Sequence, residues 1–306
     1  MLAVLAALAS AIGYGSGDFA GGLASRRASL IRVALLTQSV SATIMGIAVW
    51  SSGAGPPSIR AVAWGVLGGL GGAVGALALL AGFRHAVFSV AAPLSAVGAA
   101  GFSVLAGLLL GERPTGLELI GIVLALPAIV GVSASARTMP GALPPPGGRP
   151  GPGAPAEAPG RPSAWPRFAP AGVSYGLIAG ACFALLFIAL NRAGSGSGLW
   201  PVFCSQLTSL ATTTCVAAVT GDLRLPDGRN RRLAGLAGLG SAPGTIFYFV
   251  ATRHGLAVAA VISSLYPAVT ILLARLLLGE RLTVIKLAGL ALAGASIALI
   301  AVGAAR

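Results

Sequence analysis

The chain consists of long apolar runs separated by short polar segments. Ten of these runs are about 20 residues long, which is the length of an α-helix that crosses a hydrocarbon core of about 30 Å. No stretch shows the strict alternation of apolar and polar residues that indicates a β-strand. We therefore predict an all-α membrane protein with ten transmembrane helices, because the backbone in lipid must satisfy its hydrogen bonds within each helix. The predicted spans are 2–22, 30–50, 60–82, 86–110, 116–136, 171–191, 199–219, 232–252, 256–278 and 283–303.

One low-complexity segment separates the fifth span from the sixth. Residues 140–170 contain eleven prolines and six glycines, a composition that cannot hold a helix or a packed core. We expect a first five-helix repeat at 1–136, a disordered linker at 137–170 and a second five-helix repeat at 171–306.

The two halves are similar to each other. An apolar run that begins after Arg84 ends in Leu-Leu-Leu-Gly-Glu-Arg at 108–113, and a run after Arg253 ends in the same six residues at 276–281. Because each half has an odd number of spans, two like copies must cross the membrane in opposite directions. The pattern predicts two inverted repeats around a central cavity, an arrangement typical of secondary transporters.

Composition supports the membrane class and argues against other functions. Hydrophobic residues make up 56% and charged residues 9% of the chain, whereas soluble domains carry about 25% charged residues. The net charge of +13 comes from arginines that flank helices, so we expect no nucleic-acid partner. The three cysteines and two histidines lack metal-ligand spacing, and the chain has no phosphate-binding Gly-x-x-x-x-Gly-Lys-Ser/Thr loop. We therefore expect no metal, no cofactor and no ATP-driven step. The first run is too long for a removable signal peptide.

Several motifs resemble those of the EamA-type transporters of the drug/metabolite transporter superfamily. They are the duplicated five helices, the Leu-Leu-Gly-Glu-Arg ends of the fourth and ninth spans, the Pro-Leu-Ser and Ser-Leu-Tyr-Pro centres of those spans, and the first-span segment Gly15–Arg27. Many relatives carry a Trp-Gly pair where this chain has Tyr14-Gly15. The resemblance implies ten helices around a central cavity and transport of amino acids, nucleotide-like compounds or other small metabolites. It also implies cytoplasmic termini, whereas the excess of arginines on the linker side favours termini outside.

Asp18 is the first candidate for the chemistry of transport. It is an acidic residue inside an apolar span, and such residues usually face a partner or a wet cavity. Ser10, Tyr14 and Asp18 are spaced four apart, so they share one helical face. Asp18 could carry a coupling proton or bind a substrate amine. Alternatively, it reaches the membrane interface and pairs with Arg26.

Further candidates lie in both halves. Gln38 and Gln206 are repeat equivalents whose amides suit an uncharged or zwitterionic substrate, or else hydrogen-bond between helices. Prolines interrupt the fourth and ninth spans at matching places, which is a pointer to a transport site with hinges. Tyr248 could present its hydroxyl or its ring to a substrate, and it follows Gly240 and Gly244, whose spacing predicts close helix packing. The candidates in the proline-containing spans are Ser95, Ser263, Ser264 and Tyr266 for binding, with Pro93 and Pro267 as hinges.

The Glu-Arg pairs at the ends of the fourth and ninth spans are the most visible motif. Glu112-Arg113 and Glu280-Arg281 each follow Leu-Leu-Leu-Gly, so we expect them to stabilise a tight turn at the interface. The alternative is a gate that closes one face of the protein.

These patterns together favour a secondary active transporter in the plasma membrane. We expect an exporter of a small metabolite that acts as a monomer or homodimer in the lipid bilayer. Protons are a candidate coupling ion. A passive channel or a non-transporting scaffold is the alternative. The motifs of a membrane-embedded enzyme, such as His-Glu-x-x-His, are not in the sequence.

Overall fold

The computed structural model describes residues 2–85, 88–134, 170–279 and 282–304, which form α-helices joined by short turns. The predicted linker lies outside these ranges except for Pro170, which begins α6. The helices are α1 Leu2–Ser25, α2 Leu30–Ser51, α3 Ile59–His85, α4 Phe88–Leu109, α5 Gly116–Ala134, α6 Pro170–Ala193, α7 Trp200–Val219, α8 Gly228–Ala251, α9 Leu256–Ser263, α10 Tyr266–Leu278 and α11 Val284–Gly303.

The predicted all-α membrane fold is confirmed. Within the described ranges, eight spans are long and apolar enough to cross a membrane, with α9 and α10 counted as one, and two shorter apolar helices lie at Leu94–Leu109 and Gly116–Val132. Each predicted span overlaps one of these segments. The length of the apolar runs was sufficient to predict the spans, because a membrane-spanning helix must be apolar over its full length.

The ninth span is divided, whereas the fourth is not. α9 ends at Ser263, and α10 begins at Tyr266 with Pro267 in its first turn. A proline at this position starts a helix without losing an intrahelical hydrogen bond. Pro93 lies inside the continuous helix α4. The predicted interruption is therefore found in one half only.

The main helix contacts between the two halves occur in matching pairs. α1 packs on α8 as α3 packs on α6, and α2 packs on α8 as α7 packs on α3. α1 packs on α9 and α10 as α6 packs on α4, while α2 contacts α7 and α5 contacts α11. Equivalent helices of the two halves thus fill equivalent places in the bundle.

Small residues allow the closest of these contacts. A methyl group added to Gly13 of α1 would lie 2.7 Å from the Cα atom of Gly244, and one added to Gly240 would lie 2.9 Å from the Gly13 carbonyl oxygen. The corresponding contact in the other half joins Gly75 of α3 to Cys182 of α6, 3.2 Å from an added methyl group. The close packing predicted from Gly240 and Gly244 is confirmed.

The buried core lies towards one end of the bundle. We call the end that holds the start of α1 the terminal face, and the end that holds Ser25 the linker face. The main apolar cluster fills the terminal half and includes Val4, Phe187, Leu190, Tyr248, Phe249, Leu256 and Ile300. Towards the linker face, the described residues form only a small cluster around Ala24, Val33 and Ala234. Most of the buried core that the structure describes therefore lies in the terminal half.

Candidate functional site

The predicted polar stripe of α1 runs from the packed interior towards the linker face. Ser10 is completely buried, Tyr14 is half-buried and Asp18 is exposed. The stripe lies inside the bundle, because the Tyr14 hydroxyl reaches α8 and its ring meets α10. Along this helical face the exposed fraction of the side chains therefore increases from Ser10 to Asp18.

Two tyrosines from the two halves meet at this stripe. The Tyr14 hydroxyl donates a hydrogen bond to Thr245 Oγ1 at 3.1 Å, and the Thr245 hydroxyl donates to the Ser241 carbonyl oxygen at 3.1 Å. The rings of Tyr14 and Tyr266 lie 6.5 Å apart, edge to face at 72°. The Tyr266 hydroxyl is hydrogen-bonded to the side chain of Ser95 in α4. The structure thus brings four elements, α1, α4, α8 and α10, to one place.

Asp18 has no bonded partner in the described part of the chain. Among the described residues, the ion pair that involves an aspartate joins Arg32 to Asp222 and does not include Asp18. The groups close enough to interact with it electrostatically are Tyr14 and Tyr266. An unpaired carboxylate within a membrane is costly unless it faces a polar cavity, so this position is suited to exchange with a ligand or a proton.

Five predicted site residues carry buried polar atoms without a hydrogen-bond partner. Across the described residues there are six such side-chain atoms, and buried polar atoms are normally paired. The five are Ser10 Oγ, Gln38 Oε1, Tyr248 Oη, Ser263 Oγ and Ser264 Oγ. The two serines lie where the ninth span is divided, and both are completely buried. Buried groups with unused hydrogen-bonding capacity are what a polar ligand site requires.

The sixth unpartnered atom belongs to Ser103, which sequence reasoning missed. It is a completely buried serine two turns after Ser95 on α4. The signal in the sequence was a lone serine in an apolar run, which more often only packs between helices.

The end of the site nearest the terminal face is closed by an aromatic stack. The ring centroids of Phe187 in α6 and Tyr248 in α8 lie 4.2 Å apart with an interplanar angle of 22°. At the offset of 169 residues that relates α1 to α6, Phe187 is the equivalent of Asp18. Of these two equivalent positions, Phe187 is buried and Asp18 is exposed.

Glu112 joins the two halves at the terminal face. Its Oε1 accepts a hydrogen bond from the Leu256 amide at 2.5 Å, and its Oε2 accepts one from the Ala257 amide at 2.9 Å. These amides begin α9, where a helix favours a negative charge. Arg113 is exposed, and Glu280 and Arg281 lie outside the described residues. The predicted turn is present at Glu112, which also caps a helix of the other half.

The repeat-equivalent glutamines meet at the contact of α2 with α7. Gln206 Nε2 donates to the backbone carbonyl oxygen of Gln38 at 3.3 Å, while Gln38 Oε1 has no partner. The interhelical alternative is therefore realised for Gln206. Gln38 retains a free acceptor.

An ion pair links α2 to the segment that follows α7 at the linker face. Arg32 Nε lies 2.5 Å from Asp222 Oδ1, and the Ser29 hydroxyl donates to the other carboxylate oxygen. The Ser29 hydrogen bond first, and Arg32 next, hold the pKa of Asp222 below its usual range. Asp222 lies after α7 and outside the membrane spans. Its pKa therefore reflects the surroundings at the linker face and not those of the candidate site.

The described residues contain no group of three or more His, Cys, Asp or Glu side chains that could hold a metal ion. The site consists instead of hydroxyl, amide, aromatic and single carboxylate groups.

Fold and site together define a polytopic membrane protein with two similar halves around a polar interior. The model of the EamA-like transporter family matches residues 1–134 and 170–302. The chain belongs to this family, as its motifs predicted, and the family indicates a membrane transporter of the drug/metabolite transporter superfamily.

A protein of known crystal structure has the same fold. Its TM-score is 0.69 at 18% identity, over 99% of this chain and 95% of that chain. At this identity the likeness concerns the fold alone. None of the curated proteins compared with this chain matches it.

Proposed function

We propose that the protein is a secondary active transporter that exports a small metabolite, such as an amino acid or a related compound, across the plasma membrane. Family membership supports transport in general. The observation that carries the proposal is the exposed Asp18 on the polar stripe of α1, next to a core that is packed in the terminal half.

Alternating access between two inverted repeats accounts for this asymmetry. The odd number of spans in each half and the exchangeable contact pattern support opposite insertion of the two halves. In the proposed cycle, the site is exposed to the linker face in the described conformation. When the halves rock, the Phe187–Tyr248 stack and the Glu112 contact with α9 separate, and the site opens to the terminal face.

Asp18 is proposed to carry the coupling proton. Its side chain is exposed, and the ion pair formed among the described residues does not include it, which supports access of a proton. A carboxylate that is protonated in one conformation and charged in the other makes the conformational change depend on the proton gradient.

A passive channel requires a path that is open at both faces at once. The packed cluster at the terminal face, with Tyr248 completely buried, favours a carrier over a channel.

The test begins with ligand binding to the purified protein. Thermal unfolding in detergent is measured against amino acids, sugars, nucleosides and organic cations, because a ligand at 100 times its dissociation constant adds about 2.7 kcal/mol to the folded state. A compound that stabilises the protein is then loaded into liposomes that contain it, and exchange with labelled external compound is measured. Saturable exchange in protein-containing but not in empty liposomes is expected. The absence of exchange for every stabilising compound would contradict the proposal.

A further inference from the structure

We propose that the linker-face end of α8 binds the head group of one anionic phospholipid, whose acyl chain lies along the outer surface of the same helix. This lipid site is separate from the candidate transport site, and the inference does not depend on the proposed function. Four observations lead to it.

The first observation is an excess of positive charge at the linker face. Residues 26–32 and 222–232 together contain seven arginines and two aspartates. Among the described residues, the ion pair joins Arg32 to Asp222, so the arginines of α8 are not part of it. An excess of arginine at the surface of a membrane attracts anionic lipids.

The second observation places these two segments side by side. Ala24 of α1, Val33 of α2 and Ala234 of α8 belong to one small buried cluster. Residues 26–32 connect the first two of these positions, and residues 228–232 lead into the third. The positive charges of both segments therefore lie on one surface, where their fields add.

The third observation is a row of exposed side chains on α8. The row consists of Arg229, Arg232, Leu236 and Leu239, whose spacing of three, four and three residues puts them on one face of the helix. The arginines are exposed, and the two leucines are 53% and 54% exposed. α8 uses other residues, such as Gly238, for its contact with α2. The row is therefore on the outside of the bundle, with a charged end and an apolar continuation.

The fourth observation is a hollow at the charged end of this row. The hollow has a volume of about 540 Å³ and is lined by Gly228, Arg229, Arg232 and Leu233. Two guanidinium groups can donate to the oxygens of one phosphate, and the first amides of a helix favour the same ligand. Asp227 is the N-cap residue of α8, but its side chain forms no cap hydrogen bond. The start of the helix is therefore not capped by this carboxylate.

A phospholipid fits these features better than a soluble phosphate does. Leu239 follows Arg232 by seven residues, which places it about 10 Å deeper along the helix at 1.5 Å per residue. A head group held by the arginines thus leaves its acyl chain beside the leucines. Any lipid chain could contact the leucines, because lipid tails are as apolar as leucine. The selectivity must therefore come from the arginines, which favour a head group with a net negative charge.

The experiment counts lipids bound to the full-length protein after purification in detergent and removal of co-purified lipid. Native mass spectrometry follows titrations with phosphatidylglycerol, phosphatidylcholine and diacylglycerol of identical acyl chains, and with glycerol phosphate as the free head group. The first phosphatidylglycerol should bind at least about tenfold more tightly than phosphatidylcholine, which corresponds to about 1.4 kcal/mol. Diacylglycerol and glycerol phosphate should bind more weakly than phosphatidylglycerol.

Two results of these titrations would overturn the inference. Equal affinity for phosphatidylglycerol and phosphatidylcholine would show that the arginines do not select a head group. Glycerol phosphate that binds as tightly as phosphatidylglycerol would show a site for soluble phosphate instead of a lipid site.

Variants assign the effect to the row on α8. Arg229→Gln and Arg232→Gln should each weaken binding of the first phosphatidylglycerol by about fivefold, which corresponds to about 1 kcal/mol. Both side chains are exposed, so the melting temperature without added lipid should stay near that of the wild type. Arg224→Gln is the matched control, because it removes the same charge from the same face before α8 begins. Its effect should be smaller, because salt screens a charge that does not touch the phosphate. An equal effect of all three variants, or unchanged binding in both α8 variants, would overturn the inference.

The position of the acyl chain can be tested separately. Phosphatidylglycerol with a photoreactive acyl chain should label the segment 233–253, which contains Leu236 and Leu239. Labelling of this segment should decrease in Arg232→Gln and remain in Arg224→Gln. Labelling that is the same in both variants would show that the chain is not held by the head-group site, which would contradict the proposal.

Discussion

Asp18 and Phe187 occupy equivalent positions in the two halves but differ in both chemistry and burial. Asp18 is exposed, whereas Phe187 is only 6% exposed and stacks on Tyr248. The duplication therefore supplies a symmetric scaffold of helices. Divergence at one pair of positions makes one side of the site acidic and the other apolar.

Replacement of the carboxylate should abolish proton-driven flux. Asp18→Asn keeps the size and polarity of the side chain, so the melting temperature in detergent should stay near that of the wild type. Uptake or efflux driven by an imposed pH gradient should fall to the level of empty liposomes. Flux of Asp18→Asn equal to that of the wild type would exclude Asp18 as the proton carrier. Asp227→Asn should behave as the wild type in the same assay.

Removal of the Tyr248 hydroxyl should lower ligand affinity without lowering the stability of the protein. The hydroxyl is buried without a partner, and leaving such a group unpaired costs about 1–3 kcal/mol. Tyr248→Phe should therefore unfold at the same temperature as the wild type or a higher one, while ligand affinity falls. Tyr14→Phe is the comparison, because it loses the hydrogen bond to Thr245 and should lose about 0.5–1.5 kcal/mol of stability. A loss of stability in Tyr248→Phe without a change in affinity would indicate a packing role.

Loss of the Glu112 carboxylate should loosen the terminal face. Glu112→Ala leaves the Leu256 and Ala257 amides without their acceptor, and loss of a helix cap costs about 0.5–2 kcal/mol. Hydrogen exchange should become faster in a peptide that covers the start of α9.

The control for this variant is Glu118→Ala. Glu118 caps its own helix, since its carboxylate accepts from the Thr115 amide at 2.6 Å. Its loss should accelerate exchange at the start of α5 and leave α9 unchanged. Unchanged exchange at α9 in Glu112→Ala would contradict a role of Glu112 in closing this face.

A single methyl group added at the glycine contact between α1 and α8 should destabilise the protein. Gly13→Ala would place a carbon 2.7 Å from the backbone of Gly244, and overpacking of this kind typically costs about 1–3 kcal/mol. Gly22→Ala on the same helix meets nothing within 4 Å and should be neutral or raise stability by up to about 1 kcal/mol. Melting temperatures in one detergent compare the pair. Equal values would show that the two helices are more loosely packed than described.

Stability should decrease in acid through the linker-face ion pair. The Ser29 hydrogen bond and the Arg32 contact lower the pKa of Asp222 in the folded protein relative to the unfolded chain. Its stabilising contribution is therefore complete above the usual pKa of an aspartate and is lost as the pH falls through the lowered value. Asp222→Asn should show a shallower decrease in melting temperature over this acidic range than the wild type. An identical decrease would assign the effect to other carboxyl groups.

The sequence alone predicted the membrane class and the ten spans, and five of its candidate site residues have buried polar atoms without a hydrogen-bond partner. Spans could be predicted because every turn of a helix in lipid must be apolar, so the signal is strong and local. Asp18, Ser263 and Ser264 could be identified because a polar group inside an apolar run costs free energy. Such a group usually has a structural or functional role.

The tertiary structure decided which of these residues meet and which stay unpaired. The sequence could not show that Tyr14 is held by Thr245, that Glu112 caps α9 of the other half, or that one proline divides its span and the other does not. These contacts join residues more than 140 positions apart, and they depend on helix rotation and depth, which apolar periodicity leaves undetermined. Repeat and composition thus determined the helices and their duplication, whereas the packing of one half on the other determined which buried polar groups stay without a partner and where the carboxylate of Asp18 lies.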